Sequence, residues 1–413
     1  MGKNVLYYYK VYSELLTLRR RFPLKYWRGY LTAVIFAIFT YLLQEFAASH
    51  AVIVDMVYPY ITRMVQDMLA QWTLSYDGLL WQMALVMLGV GIMVTIVLMI
   101  LLKWNPIQWF GWILAVGSLL FFLHTGVYGM NMFSGSIADD IRMEELDYDI
   151  SQLAAATTYY RDKANELAPQ VKRDAQGNVQ FASFDQLAIQ AEDGFQSLVH
   201  DYSYPVFAGC TLPVKELGWA DRFTSMGITG ITVPLTGEAA VNPQIPPVTL
   251  PFTICHEMAH RMAISIEKDA NFAAFLACQA NESLEFQYSA YFMAYLYCYN
   301  TLAAYDTDAS NQYMRDITAG VCDELVQDRL YYSNFYSENQ SKAATNMADT
   351  VNDALIKASG DEEGIASYDN VTDHLVSWHY MQVILPTQIE EEQIFDPFDT
   401  TQVDISGIHG LGG

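Results

Sequence analysis

Ile254-Cys255-His256-Glu257-Met258-Ala259-His260 carries the pattern H-E-x-x-H inside a run with no other charged residue before Arg261. Residues four apart lie on one face of a helix, so both imidazoles can reach one ion. Glu257 follows the first histidine directly, which lets its carboxylate face a water at that ion without being a ligand. Zinc lowers the pKa of such a water towards about 7, and Glu257 can take its proton. Chance occurrences of the pattern, by composition, number roughly 0.01 in a chain of this size. The stretch therefore predicts a buried helix carrying His256 and His260 as zinc ligands and Glu257 as general base.

A catalytic zinc site needs a third protein ligand and an open position. Six residues after His260 stands Ile266, not a third histidine. Glu267 is the favoured ligand, because a turn at 262–266 folds the next helix back and aims its first residue at the metal. Asp269, Glu282 and Glu285 are the alternatives. Asn271, one turn after Glu267, can orient that carboxylate. Tyr288, Tyr368, His374 and His379 are candidate donors to a developing oxyanion. Before the helix, Ile228 to Val233 reads as an edge strand, with Thr236 to Asn242 as a loop beside the cleft. An extended substrate can pair with such an edge.

The chain around this motif divides by charge. The net charge of −24 is made of +6 on residues 1–28, −2 on residues 29–128 and −28 on residues 129–413. So acidic a surface repels phosphate and excludes nucleic acid as a partner. Residues 1–28 are a basic head. Three apolar runs follow, at about 29–48, 79–102 and 107–128. A span needs about 20 apolar residues, so these predict three transmembrane helices in contact with a lipid bilayer. The first can also be read as a signal peptide, although 28 residues is long for its basic region. Arg19, Arg20, Arg21, Lys25 and Arg28 place the N-terminus in the cytoplasm. Three spans then place residues 129–385, the body, outside the cell membrane. Residues 51–70 show an amphipathic pattern (Val54, Val57, Ile61, Val65, Met68) and read as an interfacial helix.

Within the body, helices are expected at 146–170, 184–200, 251–305 with one break at 262–266, 311–333, 341–358 and 367–383. Turns are expected at Asp174 to Asn178 and Gly360 to Gly364, and a flexible acidic tail over 386–413. Five cysteines, an odd number without close pairing, suggest buried small hydrophobes more than a disulfide framework, with room for one bridge.

Several stretches resemble a family of bacterial membrane proteins of unknown function with zinc-metallopeptidase features. They are Val57-Tyr58-Pro59, Gly129-Met130-Asn131, Val233 to Asn242, Pro251 to Glu257, Glu267 to Phe272, Tyr288 to Tyr291, Asn352 to Lys357 and Gly364 to Tyr368. Glu267-x-x-Ala270-Asn271 is also similar to the Glu-x-x-Ala-Asp element of prenyl-protein-protease-like membrane metallopeptidases. There the glutamate is the third zinc ligand, which implies that role for Glu267. Two positions depart from the family pattern: Ala263 stands where the family tends to have glycine, and Asp269 where it tends to have glutamate. The resemblance implies a zinc peptidase and supplies no substrate.

The expected architecture is mainly α: three N-terminal transmembrane helices, then a mostly helical zincin-like domain with a short edge strand. The expected function is a membrane-anchored zinc metallopeptidase acting on a peptide or protein. The alternative is an inactive zinc-binding membrane sensor or assembly factor. A di-iron carboxylate protein is a third reading, weakened by the lack of a second Glu-x-x-His.

Overall fold

The structure is a computed structural model that describes residues 26–359 and 371–387. Most of the basic head, the Gly360 to Gly364 turn, Tyr368 and the tail from 388 lie outside the described residues.

Four long helices open the fold: α1 (Arg28–Ser49), α2 (Ala51–Leu74), α3 (Leu80–Leu101) and α4 (Pro106–Val127). Helices α1, α3 and α4 are long and apolar enough to cross a membrane, and their ends fall within two residues of the expected runs. Helix α4 starts where Asn105 caps Ile107 N and Gln108 N and Pro106 sets the first turn. Helices α1 and α4 run parallel and touch through small residues. Gly29 lies so close to Gly111 that a Cβ there would strike its carbonyl carbon. Ala33 and Ala115 are buried along the same seam, and Phe36 meets Phe122 further on, with ring centroids 5.6 Å apart. Inside a bilayer, which these helices are long and apolar enough to cross, hydrophobicity would give them no reason to associate, and close backbone approach through small residues would hold the pair.

Helix α2 exists as expected, but its two faces are used in an unexpected way. Of the expected stripe only Val54 is buried; Val57, Ile61 and Met68 are exposed. The buried side is largely polar: Tyr58, Thr62, Arg63, Gln66 and Thr73. Four of these groups find partners on other elements, Thr62 among them at Val127 O (3.3 Å). Tyr58 Oη donates to Thr125 O (3.2 Å), Arg63 to Val206 O (2.9 Å) and Gln66 Nε2 to Pro234 O (2.9 Å).

The body is built of α5 (Ile150–Leu167), α6 (Phe184–His200), α7 (Leu250–Arg261), α8 (Glu267–Ala280), α9 (Leu284–Ala304), α10 (Asp308–Ala319), α11 (Asp323–Asn339), α12 (Lys342–Ser359) and α13 (Val371–His379). Helix α8 is central: Ala270 and Phe272 to Cys278 are all buried. It packs against α6, α7, α9 and α13. Two expected helices divide. The long 251–305 region breaks a second time, where Asn281 Oδ1 accepts Ser283 N and starts α9. The 311–333 region breaks at Gly320.

The sheet has three short strands, β1 (Lys215–Glu216), β2 (Gly230–Val233) and β3 (Glu238–Val241), in the order β1-β3-β2. The segment expected as a loop at 236–242 therefore contains the central strand. Its four residues are buried without alternation, which removes the period-2 signal that marks a half-buried strand. Strand β2 is an edge, as expected, and pairs antiparallel with β3.

A buried ion pair ties this sheet to the apolar helices. The Glu238 side chain is fully buried, accepts Leu80 N (2.9 Å) and Trp81 N (3.0 Å), and pairs with Lys215 Nζ (3.0 Å). It thereby caps the N-terminus of α3, where an anion is favoured. Lys215 also donates to Thr73 O in the last turn of α2 and to Gly78 O after it (2.8 and 2.9 Å). All five cysteines are free and four are buried, so no bridge forms.

Candidate metal centre

Helix α7 presents His256 and His260 on one side, and α8 brings Glu267 to them at its first residue. His256 Nε2 lies 3.0 Å from His260 Nε2. Glu267 Oε2 lies 3.3 Å from the first and 3.4 Å from the second. Among the described residues this is the one cluster of three side chains placed to hold a metal ion. The spacing has a simple meaning. Four donors about 2.05 Å from a tetrahedral ion stand about 3.3 Å apart. Glu267 Oε2 is buried and faces only the two imidazole nitrogens, and a buried carboxylate oxygen so placed favours a positive charge between the three groups. The residues present thus fit a zinc ion.

The turn that makes this possible is a Schellman motif. Ile264 N donates to Ala259 O (3.2 Å) and Ala263 N to His260 O (3.1 Å). The reversal carries Ile264 O back to His260 Nδ1, 2.8 Å away. That bond fixes Nδ1 as the protonated nitrogen and leaves Nε2 facing the cluster. Ala263 sits at the left-handed position with φ of +73°. This explains the glycine expected there, because a Cβ in that region costs about 1–2 kcal/mol. Ala263→Gly should stabilise the protein by about 1 kcal/mol, read as a rise of about 1 °C in Tm. An unchanged or lower Tm would show that the turn is relaxed as it stands.

Burial and charge act against each other in the cluster. Burial alone would raise Glu267, but the charge of His260 and hydrogen bonds from both imidazoles hold its carboxyl well below the usual range. Burial alone would lower His260; the charge and hydrogen bond of Glu267, with Glu257 behind it, instead raise it to about 9. Glu257 is raised by burial, partly offset by His256 and His260.

Glu257 is not part of the donor triangle. Its Oε2 accepts a hydrogen bond from Thr232 Oγ1 (2.7 Å) on strand β2. The backbone of Gly230 passes so close that a Cβ there would overlap the Glu257 carboxylate. The expected strand thus lies directly over the motif helix. Sequence reasoning does not single out Thr232; its place in the Ile228 to Val233 run is the available signal. It also misses Tyr128, directly after α4, whose Oη donates to His260 O (2.9 Å).

The other candidates separate clearly. Asp269 accepts from Ser136 Oγ (3.0 Å) and meets His374 Nε2 (2.7 Å), so its carboxylate is committed away from the metal donors. His374 accordingly serves Asp269, fully buried beside it. Asn271 Oδ1 accepts from Tyr297 Oη (3.3 Å) rather than orienting Glu267. Tyr288 Oη donates to Asp328, which also pairs with Arg173 (2.7 Å). Glu285 accepts from Ala182 N (3.1 Å) ahead of α6, and Glu282 is exposed. His379 packs on Tyr159, ring centroids 5.0 Å apart, and burial lowers it to about 4. Arg261, the one charge in the motif's flank, is buried and binds the carbonyls of Cys210 (3.1 Å) and Leu212.

Fold and site together define a mostly helical protein with, among the described residues, three helices able to cross a membrane. Its helix pair α7–α8 carries a donor cluster of two histidines and one glutamate. Residues 54–376 match the model of a family described as protein of unknown function (DUF3810), and the chain belongs to that family. No curated protein and no solved structure matches the chain.

Proposed function

We propose that the protein is a membrane-anchored zinc metallopeptidase. The observation that carries this reading is the triangle His256, His260 and Glu267, with tetrahedral spacing and a buried carboxylate oxygen at one corner facing both imidazoles. A zinc ion held there supplies Lewis acidity toward water and toward a carbonyl oxygen. Glu257 accepts the proton of the attacking water as its oxygen bonds to the scissile carbon. The C–N bond then breaks and Glu257 returns the proton to the leaving amine. Strand β2 has an edge to offer, on which an extended peptide can lie against Thr232 and Glu257. The basic head places the N-terminus in the cytoplasm and the body outside.

A second reading, a zinc site kept for structure in a sensor or assembly factor, draws on the deep burial of Glu257 under β2. Metal analysis tests what the two share. The purified chain should hold one zinc, and Glu267→Ala should lose it while keeping its helical circular dichroism. A folded wild-type protein that takes up no zinc would sink both.

A further inference from the structure

The metal helix and the apolar helices meet with almost no chain between them. Val127 ends α4, and the next residue, Tyr128, donates to His260 O (2.9 Å). Helix α2 crosses this junction. It starts one residue after α1, and its polar side takes the ends of α4 and the body: Tyr58 on Thr125 O, Thr62 on Val127 O (3.3 Å), Gln66 on Pro234 O ahead of β3. Asp55 and Arg63 of α2 line one pocket together with Met262 to Ile266, the turn that carries Glu267. The opposite side of α2 carries an apolar stripe, flanked toward its C-terminal end by the hydrogen-bonded pair Asp67 and Gln71. Ile53, Met56, Tyr60, Met64, Met68 and Trp72 recur every three or four residues and are 55–68% exposed. A helix on a water-facing surface turns its apolar side inward; α2 does the reverse, beside three helices able to span a bilayer. The occupant of the stripe is therefore the lipid surface that those helices enter.

We infer that the site, on the peptidase reading above, acts on the juxtamembrane segment of membrane-anchored proteins, because α2 lies in the lipid interface and sets the height of the metal centre. A helix with its side chains is about 10 Å thick. With α2 half sunk, the donor cluster stands roughly one helix diameter above the acyl boundary. An extended chain rises about 3.3 Å per residue. Cleavage should then fall roughly three residues from the anchor.

The test uses the full chain, zinc-loaded, in lipid vesicles. One library of random-sequence peptides carries a palmitoyl anchor; the same library is presented free. Expected is cleavage of the anchored library at least about tenfold faster, with cuts, located by mass spectrometry, at a constant distance from the anchor. A fluorophore at M64C, with C322S to remove the partly exposed thiol, should be quenched by nitroxide lipids. Equal cleavage of both libraries, or cuts unrelated to the anchor, overturns the inference and leaves the peptidase reading standing. An unquenched fluorophore at M64C also overturns it, because α2 is then out of the lipid. No cleavage of either library overturns the peptidase reading and this inference with it.

Discussion

On the peptidase reading proposed above, Glu257→Gln should keep bound zinc and lose hydrolysis, by about 10²- to 10⁴-fold in kcat, the usual worth of a positioned general base. The two effects separate because Glu257 lies outside the donor triangle: His256, His260 and Glu267 remain intact in the variant. The fold should survive as well. The amide oxygen of glutamine can accept from Thr232 Oγ1 as the carboxylate does, and the volume is nearly unchanged. The amide cannot take a proton from water, and that is the step removed. Comparative proteomics of membrane and secreted fragments reads the result whatever the substrate is. Cells with the wild-type chain should contain cleaved fragments that cells with Glu257→Gln lack, and those fragments name the substrates. Identical fragment patterns from two zinc-loaded proteins would favour the structural role for the metal.

The largest effect on stability is expected at Glu238. Glu238→Ala should cost about 3–5 kcal/mol, as does removal of one partner from a buried ion pair. Three groups lose their acceptor at once: the Lys215 ammonium and the Leu80 and Trp81 amides at the head of α3. Lys215 keeps Thr73 O and Gly78 O, so it remains hydrogen-bonded but has no counter-charge. Thermal unfolding of the purified chain should show a fall in Tm of about 3–6 °C. The double variant Glu238→Gln with Lys215→Met should lose less than the sum of the single changes, because it leaves no charge unpaired. A single variant as stable as wild type would mean that water reaches the pair.

Much of the fold is legible in the residues alone. The apolar runs are a local signal, and α1, α3 and α4 end within two residues of them. The 184–200 helix has the expected bounds, and the break at 262–266 shows as the gap between two helical patterns. Within the site, His256, Glu257 and His260 follow from spacing alone. Glu267 follows from that spacing plus the turn, and the structure brings it within 3.4 Å of both imidazoles. Strand β3 is not legible, because four buried residues in a row carry no alternation. Nor is the use of α2, because the hydrophobic pattern gives a stripe but not what the stripe faces.

The sequence by itself determined the features written within a few turns of chain: the apolar helices, the motif helix and the glutamate that follows it. A helix repeats every 3.6 residues and a bilayer has one thickness, so both leave a local pattern. Only the tertiary structure decided what each buried polar group does. Tyr288 serves Asp328, His374 serves Asp269, and Thr232 holds Glu257. A buried polar atom must have a partner to offset its lost water, and these partners lie 25 to 105 residues away along the chain. No local periodicity encodes a pairing at that separation; packing alone makes it.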